Sequence, residues 1–323
     1  MKLPRRNFLH LAAGAAALPV LSRVAWAQAY PSRPVRIIVG FPPGFAADAV
    51  ARLIAQSLSD SLGQQFVVEN RPGAGSNIAT DAVVRATPDG YSLLLLTQSN
   101  AINATVYENL GFDFIRDIAP VAGISAAPFI LVVSPSIPAK TVPEFIDYAK
   151  ANPGKLNMPS TGPGSAGHVF GELFKIMTGV HIVQVPYRAS WVPDLLSGQV
   201  QVGFMTIGVV IEHIRSGKLR ALAVTGATRV DVLPDIPALG EFVSGYEASG
   251  WMGIGAPRNT SAEIIETLNK AINAALTDPK MKARLANLGL EPLANSPAEF
   301  GNYIVQYTEK WGKVIRAANI KVE

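Results

Sequence analysis

Short apolar runs and helically spaced apolar positions alternate along most of the chain. The runs are Val35–Phe41, Phe66–Glu69, Ser92–Thr97, Ile130–Ser134, Leu156–Ser160, Ile182–Pro186, Val200–Phe204, Leu219–Thr225 and Gly250–Gly255. Most are unbroken rather than alternating, which predicts strands covered on both faces by helices. Between them lie sets such as Ala49, Leu53, Ile54 and Leu58, which share one face of a helix. The predicted class is α/β. The last quarter is helical: Ile264, Ile265, Leu268, Ile272, Ala275 and Leu276 form one stripe, and Phe300, Tyr303, Ile304, Tyr307, Trp311 and Val314 another. Both read as core. Capping boxes are predicted at Thr260–Glu263, Ser296–Glu299 and Thr141–Glu144.

One supersecondary pattern recurs. VRIIVGFPPGFAADAVARLI, from Val35 to Ile54, reads as strand, Gly/Pro turn, helix, and KLNMPSTGPGSAGHVFGELFKIM repeats that order about 120 residues later. Two α/β lobes would then each present a helix N-terminus behind a glycine turn. Such an end exposes amides without intrahelical acceptors and carries roughly half a positive charge. Two facing across a cleft would hold an anion without any arginine.

Composition narrows the chemistry. The 323 residues are 49% hydrophobic and 16% charged and contain no cysteine, which excludes a disordered chain, a disulfide scaffold, a thiolate metal site and a cysteine nucleophile. The net charge of +4 resides in the first 27 residues, where Lys2, Arg5, Arg6 and Arg23 stand without an acid. Taking those four from the 28 basic residues leaves as many bases as the 24 acids, so no nucleic-acid partner is implied. The same stretch has the basic start, short apolar run and Ala25-Trp26-Ala27 site of a cleavable export signal. Arg5-Arg6-Asn7-Phe8-Leu9 is similar to a twin-arginine signal. The remaining chain, about 300 residues, has the size of two domains.

The turns fit no common catalytic pattern. Gly162, Gly164 and Gly167 form G-x-G-x-x-G, but no acid follows near position 187 to meet a ribose. Ser165 lacks a nucleophile elbow, because Pro163 precedes it by two residues. The histidines, at 10, 168, 181 and 213, have no metal-ligand spacing. From the residues alone the chain is an exported two-lobed protein with an anion in its cleft. No cofactor and no metal are expected.

An ordered series of longer motifs is more specific: Tyr30 to Gly44 (YPSRPVRIIVGFPPG), Val68 to Gly75 (VENRPGAG), Pro88-Asp-Gly-Tyr91, Gly217 to Thr225 (GKLRALAVT) and Trp311-Gly-Lys-Val314. It resembles the substrate-binding proteins of tripartite tricarboxylate transporters, the Bug family, from about Tyr30 to Ile320. The resemblance implies a periplasmic Venus-flytrap fold of the type II binding-protein kind. It implies a small organic carboxylate held between the lobes, delivery to a membrane permease, a monomer, and no catalysis. Lobe 1 would comprise residues 28–125 and 251–323 and lobe 2 residues 126–250, with crossings near Gly123–Ala127 and Tyr246–Trp251. An exported ligand-sensing accessory and an exported enzyme using the same cleft are the alternatives.

By the same resemblance the ligand-binding residues are Phe41, Pro43, Gly44, Phe45, Ala46, Ala47 and Asp48 on the first loop. Thr161, Gly162, Gly164, Ser165 and His168 lie on the second. Ser99 and Asn100, Tyr187 and Arg188, and Met205 line the cleft. Asp48 is expected to serve the first helical turn rather than the ligand. Phe45 replaces the family's second glycine, and Met205 stands where the family carries an acid. With Trp191, these two predict a dry, aromatic cleft suited to benzoate-like or branched apolar acids.

Overall fold

A computed structural model describes residues 30–187 and 190–321. The export signal and Arg188 lie outside the described residues. Among the described residues ten strands form: β1 (Val35–Val39), β2 (Phe66–Asn70), β3 (Ser92–Thr97), β4 (Ile118–Val133), β5 (Asn157–Ser160), β6 (Val183–Pro186), β7 (Val202–Thr206), β8 (Arg220–Val224), β9 (Ser249–Pro257) and β10 (Glu291–Pro292). In the main sheet the order is β10-β4-β9-β3-β1-β2. Parallel β2 and β3 flank β1, and antiparallel β9 joins β3 to β4.

β4 changes partners along its length. Its first part, from Ile118 to Pro128, pairs with β9, and its second part, from Phe129 to Val133, pairs with β7 and β8. The β5–β6 pair lies beside β7, where the Gln201 amide donates to the Asn157 carbonyl at 3.0 Å. The expected strand at Ile130–Ser134 therefore begins twelve residues earlier, at Ile118. Its first part, IAPVAGISAAP, is rich in Ala, Pro and Gly, which have weak strand preference. It is extended because β9 supplies a ladder, with register shifts at Pro120/Ala122 and Gly123/Ser125.

At the partner change, buried Thr225 joins both crossing segments. Its hydroxyl accepts from the Phe129 amide at 2.8 Å and donates to the Ala248 carbonyl. One apolar core covers one face of the first-lobe sheet, where helices Ala46–Leu62 and Ala262–Thr277 pack. A second lies on the other side of the sheet: Phe170 of helix Ala166–Thr178 meets Trp311 of the C-terminal helix with ring centroids 4.7 Å apart. A third fills the far side of β7. Phe300, Ile304, Tyr307, Trp311 and Val314 are core, as their spacing predicts. Among the described residues no helix is long and apolar enough to cross a membrane.

Candidate functional site

The first loop leaves the end of β1, the central parallel strand, where α/β sheets carry their ligands. Gly44 adopts φ 86°, and Phe45 follows at φ −76°, ψ 161° as the N-cap of helix Ala46–Leu62. The left-handed residue is thus the glycine, and the bulky ring at 45 costs no backbone strain. Phe45 makes no side-chain cap, so the amides of the first turn remain without a side-chain acceptor.

Asp48 shapes this loop from behind. Its buried carboxylate accepts from the Gly44 amide at 3.0 Å, from Arg52 Nε at 3.0 Å and from Asn70 Nδ2 at 2.9 Å. The Arg52 hydrogen bond, with those from Gly44 and Asn70, outweighs burial and lowers its pKa to about 2. Asp48 and Arg52 form a pair without net charge, so the acid does not repel an anion at the helix end. Its acceptor sites are engaged within the protein, in keeping with service to the first turn.

The second loop follows β5 and has the same geometry. Gly164 adopts φ 74°, and Ser165 is the N-cap of helix Ala166–Thr178 at φ −64°, ψ 154°, again without a side-chain cap. The Gly164 amide donates to His168 Nδ1 at 3.3 Å, as that of Gly44 donates to Asp48. Both bonds span four residues and close the turn on the third position of the helix. Ser165 Oγ is enclosed without a hydrogen-bond partner among the described residues, although serine is a preferred cap. Thr161 is exposed, and Gly162 has φ 119°. Gly164 packs against helix Gln98–Val106: a methyl group there would lie 3.1 Å from the Val106 side chain.

The other expected residues divide. Ser99 is half-buried at the end of β3. Asn100 is buried as a capping residue: its Oδ1 accepts from the Thr97 amide at 2.8 Å, and its Nδ2 donates to Thr80 Oγ1 at 2.8 Å. It is a scaffold group rather than a ligand group. The Tyr187 hydroxyl donates to Asp194 at 2.6 Å, which raises its pKa and turns the phenol toward helix Val192–Ser197.

Met205, expected to line the cleft, is buried. It is 8% exposed and belongs to the third core with Trp191, which is 5% exposed. Alternation along β7 explains this, since Val202 and Phe204 face one core while Gly203 and Met205 face the other. Gly203 provides the floor for the indole, because a methyl group there would stand 2.5 Å from the Trp191 ring. Of the three features behind the aromatic-cleft expectation, only Phe45, 58% exposed, stands at a ligand loop.

Two supporting residues are not among the expected site residues, the first without a signature in the spacing and the second readable as an i,i+4 pair. Asn70 lies inside the VENRPGAG motif but 22 residues from Asp48, and the parallel register pairs it with Val39 at the end of β1. Glu172 follows His168 by one helical turn. Among the described residues no group of three His, Cys, Asp or Glu side chains could hold a metal.

Residues 50–320 match the sequence model of the Tripartite tricarboxylate transporter family receptor. Protein BugT of Bordetella pertussis is 36% identical over 304 residues, covering 92% of this chain and 93% of that protein. A solved structure described as R. palustris Rpa4515 with adipate superposes with TM-score 0.80 at 36% identity, covering 90% of this chain and 99% of the other. The periplasmic binding protein BugD gives TM-score 0.76 at 33% identity, over 91% of this chain and 100% of its own. MatC (Rpa3494) from Rhodopseudomonas palustris with bound malate gives TM-score 0.75 at 28% identity, over 88% and 100%.

Proposed function

The chain belongs to the tripartite tricarboxylate transporter receptor family, and from that premise we propose that its two glycine loops hold the two ends of an aliphatic dicarboxylate. It is a periplasmic solute-binding receptor with the two-lobed type II binding-protein fold, serving a membrane permease, and not an enzyme. One observation carries the proposal. Each loop ends on an extended, uncapped residue, Phe45 or Ser165, that leaves first-turn amides for an anion. Two such ends match two carboxylates, and the relatives described with adipate and malate hold acids of that kind. With Trp191 and Met205 in the core, the preference for benzoate-like acids loses its basis.

The ligand contacts are then the amides following Phe45 and Ser165, with the Ser165 and Ser99 hydroxyls. Phe41, Pro43, Gly44 and Gly162 shape the loops. We divide the chain as residues 28–125 with 251–323 and residues 126–250, a division supported by the change of β4 partners after Pro128. Export by the twin-arginine route is our reading of Arg5-Arg6.

Calorimetry across succinate, malate, adipate, suberate, hexanoate, benzoate and aspartate tests the ligand class. A dicarboxylate is expected to bind at least about tenfold tighter than hexanoate, because the second helix end otherwise lacks a partner. Equal affinity for adipate and hexanoate would refute the two-ended site. Small-angle scattering should show a smaller radius of gyration with the bound diacid, since the two ends converge only on closure.

A further inference from the structure

The two loops close by the same bond but with different acceptors. In the first, Gly44 donates to a carboxylate that stays ionised down to about pH 2. In the second, Gly164 donates to His168 Nδ1. A neutral imidazole has one donor and one acceptor nitrogen, so accepting at Nδ1 puts the proton on Nε2. Nε2 lies 3.7 Å from Glu172 Oε1, and Lys175 Nζ lies 2.7 Å from the same oxygen. Burial pushes the Glu172 carboxyl up, but the nearby His168 and the hydrogen bond from Lys175 prevail and leave it below its ordinary range. An ionised Glu172 favours the proton on Nε2 and so keeps Nδ1 free to accept.

We infer that His168 is a positioning residue rather than a ligand contact: its neutral Nδ1, oriented by Glu172, holds the second ligand loop closed on Gly164. This rests on the two-loop site proposed above. Protonation of His168 turns Nδ1 into a donor facing the Gly164 donor. The bond is then lost, and the loop is released from the geometry that presents its amides. Among the described residues, the charged groups placed at His168 are Glu172 and Lys175 on its own helix. From other elements, β7 brings the Phe204 carbonyl against Gly167 and helix Gln98–Val106 brings the Val106 side chain against Gly164, neither of them ionisable. A cationic His168 touching the ligand carboxylate would have the opposite consequence, tighter binding in acid. The sign of the pH dependence therefore separates the two roles.

The test uses the full mature chain, its H168N and H168L variants, and E172Q. Imidazole nitrogen NMR should report an accepting Nδ1 and a protonated Nε2 at neutral pH, with the Nδ1 share falling in E172Q. Adipate affinity of the unsubstituted protein should weaken about fivefold on the acidification that protonates this imidazole, as followed by the same nitrogen signals, which is the loss of one hydrogen bond. In H168N the Asn oxygen occupies the place of Nδ1, so the pH step should disappear, whereas H168L should bind weakly throughout. Affinity rising in acid, a pH step that persists in H168N, or a proton on Nδ1 would overturn the assignment. If adipate does not bind the unsubstituted protein, the ligand class fails, and amide exchange at Gly164 then decides the positioning role alone. Protection lost on acidification supports it, and unchanged protection refutes it.

Discussion

Asn70 Nδ2 donates to Asp48 Oδ1 at 2.9 Å and also to the Phe41 carbonyl at 3.0 Å. One amide thus ties the first turn of the helix to the strand end from which the ligand loop departs. Asn70→Ala removes both bonds and leaves a buried carboxylate short of a donor. The expected cost is about 1–3 kcal/mol of stability, with a several-fold loss of dicarboxylate affinity. Urea unfolding and calorimetry measure the two effects. Unaltered values for both would show that Arg52 and Gly44 suffice to hold the loop.

Asp48 gives the protein an acid limb. Its pKa is about 2 in the folded chain, below the ordinary carboxylate value, so its stabilising contribution is fully present above the unfolded value. That contribution falls away as the pH drops from about 4 to about 2. Its partner Arg52 is about half exposed, so solvent screening reduces the size to about 1–2 kcal/mol. Asp48→Asn should flatten this part of the stability curve. A slope unchanged in the variant would assign acid unfolding to other carboxylates.

The α/β class and both glycine loops are legible in the sequence because their signals are local. β3 consists of the apolar run Ser92–Thr97 itself, and Gly44 and Gly164 mark turns that only a left-handed residue completes. The first part of β4 is illegible because its extension is imposed by β9. The burial of Met205 is illegible for a related reason. Its position in a motif says nothing about which face of β7 it occupies, and that face belongs to the core it shares with Trp191, fourteen residues earlier. The Asp48–Asn70 bond depends on parallel register and leaves no spacing to read.

Because Trp191 lies on Gly203, the two positions should be energetically coupled. Gly203→Ala forces a methyl group against the indole in a closed core and should cost about 1–3 kcal/mol. Trp191→Phe shortens the side chain and makes room, so the double variant should be less destabilised than the sum of the singles. Neither change should alter the ranking of carboxylate ligands. A changed ranking in Trp191→Phe, measured by calorimetry on the folded variant, would return the indole to the cleft.

Phe45 offers a direct test of what the uncapped helix end is for. Its backbone is already extended, so Phe45→Ser should fit without moving the loop. A serine there can accept from the first-turn amides and stabilise the helix by about 0.5–1 kcal/mol. Those are the amides assigned to the ligand carboxylate, so the cap competes with binding. The expected outcome is a higher melting temperature together with a several-fold weaker dicarboxylate affinity. Ser165→Ala is the matched control, because that serine makes no cap. It should leave stability nearly unchanged while removing a hydroxyl that has no hydrogen-bond partner among the described residues. The first pair of effects separates a capping role from a ligand role at the same atoms. If Phe45→Ser raised stability and left affinity intact, the first-turn amides would not be the carboxylate site, and the first loop would serve only to shape the lobe.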